Sequence, residues 1–585
     1  MGSREIESLY QAMMDRLHAA EPVSWEEITD FLADLSKNAP PIDMIDEEEY
    51  LKKVRGGAAF WTFDFGIDGV SIEISKYARC LEEILGRDAS AVHFIAGDFH
   101  PQADNVLQED WKRHQIDRVN GWDKWDQGRW FDHLFYQEMK EGSDISHEMA
   151  REIWRQAVEM AANLGRYIAE NEISLLIPVN VNSNPGNLAT GLCTVLVSEL
   201  MGLYVLNSNH DFYWEGGKPP ENRNPGEPAG PRDKFFLNWK NEPFFSFLKT
   251  IYPWNGRRWI QVNINTLQSE KLITAGFPED RVLEISTMVS DEFFKEFSRD
   301  DVNSARIRMA HILSDGNRMI QTVAGESFLK GLRQWMSDQK PLVCAAREGL
   351  RLDLASEQII YLLQPTRIID RKRIEKDWQL IAALLRHPSF KDEFNSNPAR
   401  QIVLHITGPA PIEHQEDLES VLHAFLDVIH TLPEQTASRL FMAFSIGTEF
   451  HPSFVEAGFE KLTIEEIYRL ATAVVFPSLT EGRGLPIIES SAAGIPIICS
   501  RYHPEKIFAG VVGEDLPENQ RIRYIPFPEE IHTEKDLDEI SRTLIHPQSR
   551  AEENLHNKHA TRQRYSKEVM LSAFRVYLEK LRNSR

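Results

Sequence analysis

The stretch from Ala473 to Cys499 constrains the fold more than any other part of the chain. It begins with a short apolar run ending at Pro477, which is typical of a strand buried on both faces. A loop with two glycines follows, and Pro486 then marks a helix start, because the missing N–H of proline costs nothing there. Gly494 ends the helix before a second apolar run. The pattern predicts a parallel βαβ unit whose glycine loop lies at the carboxyl end of the first strand.

The glycine loop and the helix start are predicted to form a ligand site. Open α/β sheets bind ligands at the carboxyl ends of their strands, and the N–H groups near Leu485 and Pro486 attract phosphate. Glu481 lies in the loop, and Glu489 lies about one turn inside the helix. Because two carboxylates would repel a phosphate, they are better suited to accept hydrogen bonds from the hydroxyls of a ribose and a sugar. The alternative is structural, with Glu481 as a helix cap and Glu489 on a solvated face.

The motif Phe-Pro-Ser-x-x-Glu-Gly-x-Gly-Leu-Pro-x-x-Glu ends at Glu489 and resembles the signature of family 4 retaining glycosyltransferases, which have the GT-B fold. The resemblance implies that Glu481 contacts the donor sugar and that Glu489 holds the ribose of the nucleotide. It also implies a donor-binding role for the residues around the helix start, which are Arg483, Gly484, Leu485 and Pro486. The family usually has an aromatic residue where Arg483 stands, so the shape or charge of the pocket beside the donor sugar differs here.

A cluster of cations follows the apolar run that precedes Arg367. Arg367, Arg371, Lys372 and Arg373 lie in one loop of an otherwise acidic chain, and cations after a strand end suit a diphosphate whose charge builds as it leaves. Arg367 and Lys372 match the residues that bind the donor phosphates in the family, which often has glycine where Arg373 stands. Gly408 ends the next strand in a turn usual for the donor domain and is assigned to donor binding. The alternative is a solvated basic turn.

The first half of the chain offers fewer site candidates. His210 follows a predicted strand and precedes an aspartate; in the family, a histidine at this place faces the donor sugar, so His210 is predicted to be catalytic. Gly66 and Gly69 follow the first strand, where the family has a glycine loop near the donor phosphates. The alternatives are a structural histidine and an ordinary βα turn.

Composition argues against several classes of protein. The formal net charge of −24 disfavours duplex nucleic acid or an anionic membrane surface as the main partner. The four cysteines are far apart and have no metal-ligand spacing, so neither structural zinc nor a disulfide framework is expected, and a cytoplasmic location fits. The charged N-terminus is unlike a signal peptide, and no apolar run approaches the ~18 residues of a membrane span.

A chain of 585 residues exceeds a single core, so two large domains are expected. We predict an α/β protein of the GT-B class, in which two Rossmann-like domains face each other across a cleft. The predicted parts are an N-terminal helical appendage (1–55), an acceptor-side domain (56–340), a donor-side domain (341–548) and a helical segment that crosses back to the first domain (549–585). Residues 100–144 are predicted to be an insertion on the acceptor side, and residues 215–232 a mobile loop. The N-terminal helices are predicted to offer a surface for homo-oligomer formation.

The resemblance implies transfer of a hexose from UDP- or GDP-hexose to an acceptor hydroxyl with retention of configuration, and neither a metal nor another cofactor is expected. A small soluble acceptor is predicted, such as a sugar, a sugar phosphate or a glycerate-type compound. Two alternatives remain open: a glycoside phosphorylase of the same fold, and a non-catalytic scaffold that binds nucleotide sugars.

Overall fold

The computed structural model describes residues 3–37, 45–66, 69–86, 91–121, 129–223, 230–285, 287–317, 319–446, 451–528 and 533–583. The chain divides into two compact units. Unit 1 consists of Met1–Met288 together with Met570–Arg585, and unit 2 consists of Val289–Val569.

Unit 1 is built on a parallel sheet. Its strands are β1 (Ala58–Trp61), β2 (Asp64–Phe65), β3 (Val92–Ala96), β4 (Asp98–Phe99), β5 (Lys112–Gln115), β6 (Leu175–Pro178), β7 (Tyr204–Asn209), β8 (Trp259–Asn263) and β9 (Val282–Glu284). Within the described residues the main sheet has the order β5-β3-β1-β6-β7-β8-β9, and every neighbouring pair is parallel. The small strands β2 and β4 pair separately. The central strands are completely buried because helices cover both faces of a parallel sheet.

The N-terminal helices belong to the core of unit 1. The helices of this part of the chain are α1 (Ser3–Ala19), α2 (Trp25–Lys37), α3 (Glu47–Gly56), α4 (Gly69–Leu85), α5 (Arg129–Phe135), α6 (Asp144–Glu170), α7 (Leu188–Met201), α8 (Glu242–Ile251) and α9 (Thr266–Thr274). Helix α1 packs on α6 and α7, and α2 packs on α8. Met13, Leu17 and Trp25 are buried in one cluster with residues of those helices. The apolar stripes of α1 and α2 are therefore used inside unit 1, and a homo-oligomer through these helices stays a prediction.

Unit 2 contains the second sheet. Its strands are β10 (Thr322–Ala324), β11 (Leu342–Ala345), β12 (Ile359–Gln364), β13 (Gln401–Ile406), β14 (Leu440–Phe444), β15 (Ala473–Phe476), β16 (Ile497–Cys499) and β17 (Ile525–Pro526). The order is β10-β11-β14-β13-β12-β15-β16-β17, and the pairs are parallel except for β11 with β14.

Helices cover this second sheet. They are α10 (Arg299–Leu313), α11 (Gly325–Asp338), α12 (Glu375–Arg386), α13 (Pro388–Ser396), α14 (Gln415–Thr431), α15 (Glu434–Ala437), α16 (Ser453–Ala457), α17 (Ile464–Leu470), α18 (Leu485–Ala493), α19 (Glu505–Val512), α20 (Glu534–Ile545) and α21 (Ala551–Tyr565). The βαβ unit predicted from the sequence is confirmed as β15, α18 and β16. The last helix, α22 (Lys567–Asn583), returns to unit 1, where Phe574 packs 5.6 Å from the Tyr77 ring of α4.

The structure confirms an α/β protein with two Rossmann-like units and N-terminal helices. The division between the units differs from the expected border at 340, because it falls after Met288. Residues 289–340 join unit 2 since β10 pairs with β11 and α11 contributes Phe328 and Leu332 to the core of that unit. The arrangement of the two units across a cleft stays a prediction.

The segment 100–144, expected to be an insertion, contributes the edge strand β5 and the helix α5. Four polar residues make up β5, and three of them are exposed, so the strand has no apolar run by which it could be found. Residues 122–128 of this segment lie outside the described residues, as do residues 224–229 of the loop predicted at 215–232.

Candidate functional site

Three loops of unit 2 meet at one edge of its sheet. The cation loop (residues 365–374) follows β12, the glycine loop (residues 477–484) follows β15, and the third loop (residues 500–504) follows β16. These strands are parallel neighbours, so their carboxyl ends lie at the same edge. This edge is where open α/β sheets bind ligands.

Backbone hydrogen bonds hold the glycine loop between the other two loops. The N–H of Leu479 donates to the carbonyl of Arg371 at 2.8 Å. On the other side, the N–H of His503 donates to the carbonyl of Leu479 at 2.7 Å, and the N–H of Glu481 donates to the carbonyl of His503 at 3.0 Å. The position of Glu481 therefore depends on both flanking loops.

Lys372 and Glu481 form a buried ion pair at the centre of this edge. The ammonium of Lys372 donates to Oε1 of Glu481, and the guanidinium of Arg371 lies 3.9 Å from Oε2 of the same carboxylate. Lys372 is 9% exposed and Glu481 is 8% exposed. Burial lowers the pKa of Lys372, whereas the Glu481 carboxylate acts in the opposite direction. A cation and a carboxylate in contact can bind two adjacent groups of one ligand, the first an anion and the second a hydroxyl.

The other predicted phosphate-binding residue, Arg367, is exposed in the same loop. The turn that carries it is held against the turn after β13, because the N–H of Ile368 donates to the carbonyl of Pro409 at 2.9 Å. A Cβ atom at Gly408 would overlap the carbonyl of Thr366, so only glycine allows the two turns to approach this closely. The structure thus gives Gly408 a packing role beside Arg367, while its contact with a donor stays a prediction.

The start of α18 faces the same edge. Gly484 precedes the helix with a φ of 70°, in the left-handed region that favours glycine. A Cβ atom at Gly484 would also overlap the phenol oxygen of Tyr502, whose hydroxyl donates to the carbonyl of Arg483 at 3.3 Å. The helix begins at Leu485 rather than at Pro486, the second helical residue. Its first N–H groups lie next to the glycine loop, so the positive end of the helix dipole lies at this edge.

Glu489 is held by a buried tyrosine of the preceding helix. The Tyr468 hydroxyl of α17 donates to Oε2 of Glu489 at 2.6 Å. Burial raises the pKa of Tyr468 well above its ordinary value, and the Glu489 carboxylate raises it further. Glu489 is therefore oriented by the protein and does not lie on a solvated face. Sequence reasoning missed Tyr468 because nothing in the helical pattern of α17 distinguishes it from a core residue.

Arg483, at the position where family 4 glycosyltransferases usually have an aromatic residue, lies near Tyr565. Burial raises the pKa of Tyr565, and the guanidiniums of Arg564 and Arg483 act in the opposite direction. The side chain of Arg483 is half-buried.

In unit 1, His210 directly follows β7 and is buried. The backbone N–H of His210 donates to Oδ1 of Asn180 at 2.8 Å, and the backbone N–H of Asp211 donates to the same oxygen at 3.1 Å. Asn180 has a φ of 60°, a conformation that asparagine tolerates better than most residues. Asp211 in turn pairs with Arg232 at 2.8 Å. Asn180 thus fixes the backbone that carries His210, and its place in a polar loop at a strand end was the one signal in the sequence.

The two glycines predicted near the first strand occupy different settings. The N–H of Gly66 donates to the hydroxyl of Ser71 at 3.1 Å, and Gly69 is the first residue of α4. Residues 67 and 68 lie outside the described residues.

Of the predicted site residues, the structure brings Lys372 and Glu481 into contact. Unit 2 also contains Arg367, Gly408, Arg483, Gly484, Leu485, Pro486 and Glu489. Unit 1 contains His210, Gly66 and Gly69.

Residues 457–508 match a family model described as "Glycosyl transferases group 1". The matched segment includes the glycine loop and all of α18, so it covers both Glu481 and Glu489. This match supports a glycosyltransferase. No curated protein matches the chain in sequence.

Several solved structures are similar at low identity. A glycosyltransferase from Rickettsia africae is 12% identical over 90% of this chain and 100% of its own, with a TM-score of 0.49. The Anabaena protein HepE, in complex with UDP and glucose, is 11% identical over 89% of this chain and 99% of its own, with a TM-score of 0.47. Sucrose-phosphate synthase from Thermosynechococcus elongatus is 12% identical over 90% of this chain and 100% of its own, with a TM-score of 0.49.

No helix in the described ranges combines the length and the apolar character that a membrane crossing requires.

Proposed function

We propose that this protein transfers a hexose from a nucleotide-diphosphate sugar, UDP- or GDP-linked, to a hydroxyl of a small acceptor with retention of the anomeric configuration. The observation that carries the proposal is the buried Lys372–Glu481 pair beside the start of α18, at the carboxyl edge of the unit 2 sheet. The pair combines a phosphate-binding cation with an acceptor of sugar hydroxyls, and the helix start adds N–H donors directed at an anion.

In the proposed reaction, negative charge develops at the carboxyl edge of the unit 2 sheet. As the bond between the sugar and the diphosphate breaks, negative charge grows on the leaving phosphate. Lys372, Arg367 and the N-terminus of α18 stabilise that charge. The departing phosphate oxygen takes the proton of the acceptor hydroxyl on the same face of the sugar, so no protein carboxylate acts as a nucleophile.

The carboxylates and the histidine have positioning and binding roles in this proposal. Glu481 orients the donor hexose through its hydroxyls. Glu489, oriented by Tyr468, accepts hydrogen bonds from the ribose of the nucleotide. His210, on a backbone fixed by Asn180, is assigned a contact with the donor sugar, as the family resemblance implies.

In this assignment unit 2 binds the nucleotide sugar and unit 1 binds the acceptor, a sugar, a sugar phosphate or a glycerate-type compound. The reaction needs neither a metal nor another cofactor in this mechanism, since side-chain cations and the helix start bind the diphosphate. A cytoplasmic location accords with the four cysteines, which are all buried and form no disulfide in the described part of the chain.

A thermal-shift panel with UDP, GDP and ADP and their hexose conjugates tests the donor. A nucleotide at ~100 times its dissociation constant adds about 2.7 kcal/mol to the stability of the folded state, which moves the melting temperature of a large domain by several degrees. We expect a shift with one nucleotide family, followed by release of that nucleotide when acceptor sugars are added to its hexose conjugate.

Two results would contradict the proposal. Phosphate-dependent cleavage of a disaccharide without nucleotide release would indicate a phosphorylase. A nucleotide-sugar shift with no turnover on any acceptor would indicate a scaffold that binds the donor without transferring it.

A further inference from the structure

We propose that Arg373 is a positioning residue of the candidate donor site. Its guanidinium fastens the cation loop to the ends of β15 and β16 and thereby holds Lys372 against Glu481. The inference rests on the proposed function, because it assigns to Arg373 a part in the turnover of the same site.

The side chain of Arg373 forms hydrogen bonds to the other two loops of the site, the glycine loop and the third loop. Its Nε donates to the carbonyl of Pro477, the first residue of the glycine loop, at 2.8 Å. Its Nη2 donates to the hydroxyl of Ser500, the first residue of the third loop, at 3.1 Å. Arg373 therefore joins the cation loop to the ends of the neighbouring strands β15 and β16 through one planar group, whose spread donors the compact ammonium of lysine does not reproduce.

The backbone of Arg373 has a conformation that is unusual for an arginine. Its φ of 49° lies in the left-handed region, where glycine is the ordinary residue and a long side chain is uncommon. The N–H of Arg373 donates to the carbonyl of Asp370 at 2.9 Å and closes the turn that carries Lys372. Because a glycine would form this turn with less strain, the arginine is explained by what its guanidinium holds.

The geometry links Arg373 to Lys372 directly. Lys372 is the last residue of that turn, and its ammonium must stay in contact with a carboxylate that belongs to the glycine loop. The bond from Arg373 to Pro477 keeps the two loops at one separation. Without this bond the protein still has both the Lys372 cation and the Glu481 carboxylate, but the distance between them is less constrained.

The test compares Arg373→Gly, Arg373→Lys and Ser500→Ala with the wild-type protein. Glycine relieves the backbone strain while it removes the guanidinium, so we expect a melting temperature near that of the wild type. We expect kcat to fall by about tenfold to a hundredfold, as for small misplacements of reacting groups, with a smaller change in nucleotide affinity. Arg373→Lys restores little of the turnover, and Ser500→Ala loses part of it.

Arg439→Ala is the matched control in the same unit. The guanidinium of Arg439 also donates to backbone carbonyls, those of Phe394 and Asn397, but it lies directly before β14, at the amino edge of the sheet. We expect this variant to lower the melting temperature and to leave kcat per folded molecule unchanged.

Hydrogen exchange of the glycine loop gives a readout that does not need turnover. Amide exchange in residues 477–484 should accelerate in Arg373→Gly and stay unchanged in Arg439→Ala. Wild-type kcat in Arg373→Gly, full recovery of kcat by Arg373→Lys, or unchanged exchange in the glycine loop would each overturn the inference. Failure of the wild-type protein to use any nucleotide sugar would instead contradict the proposed function, and the exchange measurement would still decide on Arg373.

Discussion

At the scale of single residues, the contact between Lys372 and Glu481 is the most informative feature of the site. Each of these charged groups would be costly to bury alone, and each is buried because the other is adjacent. Such a pair is weak evidence for a stability role, since apolar residues often fill the same space at least as well. At a strand-end site beside a helix N-terminus, a binding role explains the pair better.

Arg367 and Glu489 separate turnover from binding at the residue scale. In the proposed mechanism Arg367 faces the charge that develops on the leaving phosphate, so we expect Arg367→Ala to lower kcat by about a hundredfold or more. In the same proposal Glu489 accepts hydrogen bonds from the ribose, so we expect Glu489→Ala to weaken nucleotide binding with a smaller loss of kcat. Calorimetric titration with the nucleotide and initial rates at saturating donor measure the two effects. Equal and negligible effects from both variants would contradict the site assignment.

At the scale of secondary-structure elements, side chains that reach from one element to the next hold the site and the core of unit 2. Tyr468 links α17 to α18 through Glu489. On the sheet, His405 of β13 is hydrogen-bonded to Tyr361 of β12 and, at 2.6 Å, to Ser445 directly after β14. These links join residues at least 21 positions apart in the sequence, and the side chains of Tyr468, Tyr361 and His405 that form them are buried.

Tyr468→Phe tests the link between α17 and α18. The variant keeps the ring but loses the hydrogen bond to a carboxylate, a bond worth about 1.5 to 3 kcal/mol. We expect nucleotide affinity to fall by about threefold to tenfold, which corresponds to about half of that energy being used to orient Glu489 for the ribose. Tyr577→Phe is the control, because Tyr577 is also buried and donates to a backbone carbonyl, that of Glu284, in unit 1. Equal affinity losses in both variants would contradict a specific role for Tyr468.

His405 gives unit 2 a dependence on pH. Burial lowers the pKa of His405 from 6.5 to about 3. Between these two values the unfolded chain binds a proton that the folded protein does not, so stability falls as the pH is lowered from 6.5 toward 3.

The comparison with His405→Gln isolates this effect. We expect the stability advantage of the wild-type protein over the variant to shrink on acidification by about 1.4 kcal/mol per pH unit at most. Urea unfolding at several pH values between neutral and mildly acidic measures it, since other titrating groups cancel in the difference. A difference that does not change with pH would show that His405 takes up its proton in the folded protein as readily as in the unfolded chain.

At the scale of the whole molecule, the ends of the chain belong to unit 1. Helices α1 and α2 share a core with α6, α7 and α8, and the last helix returns to the same unit from Met570 onward. Trp25 is an example, with its ring 5.1 Å from the rings of Phe244 and Phe247. The N-terminal segment is therefore part of the folded unit, and changes there should act on its stability.

Trp25→Ala tests the place of the N-terminal helices. We expect it to lower the stability of unit 1 by about 3 to 5 kcal/mol, the range for removal of a large buried aromatic side chain. Val23→Ala, at a position 45% exposed, should change stability by no more than about 0.5 kcal/mol. Thermal unfolding followed by tryptophan fluorescence compares the two variants. A Trp25→Ala protein as stable as the Val23→Ala protein would mean that the helices are a dispensable appendage.

Local patterns in the sequence were enough to predict several elements. The βαβ unit was predictable because an apolar run, a glycine pair, a proline and a terminal glycine each act on the few residues around them. The cation loop was predictable for the same reason, since three of its four cations are consecutive and all four follow a strand. The edge strand β5 was not predictable because an exposed polar strand has no apolar period, and its partner β3 alone defines it.

By itself, then, the sequence determined the α/β class and the strand–loop–helix unit around Glu481, and it predicts that this loop binds a phosphate-bearing ligand. Only the tertiary structure decided which groups meet. The ion pair of Lys372 with Glu481 joins residues 109 positions apart, and the anchoring of Arg373 on Ser500 joins residues 127 positions apart. The border between the units also depended on tertiary structure, because β10 joins unit 2 by pairing with a strand that follows it in the chain. Such contacts depend on which strands become neighbours in a sheet, and that order is a property of the packed core that no local pattern contains.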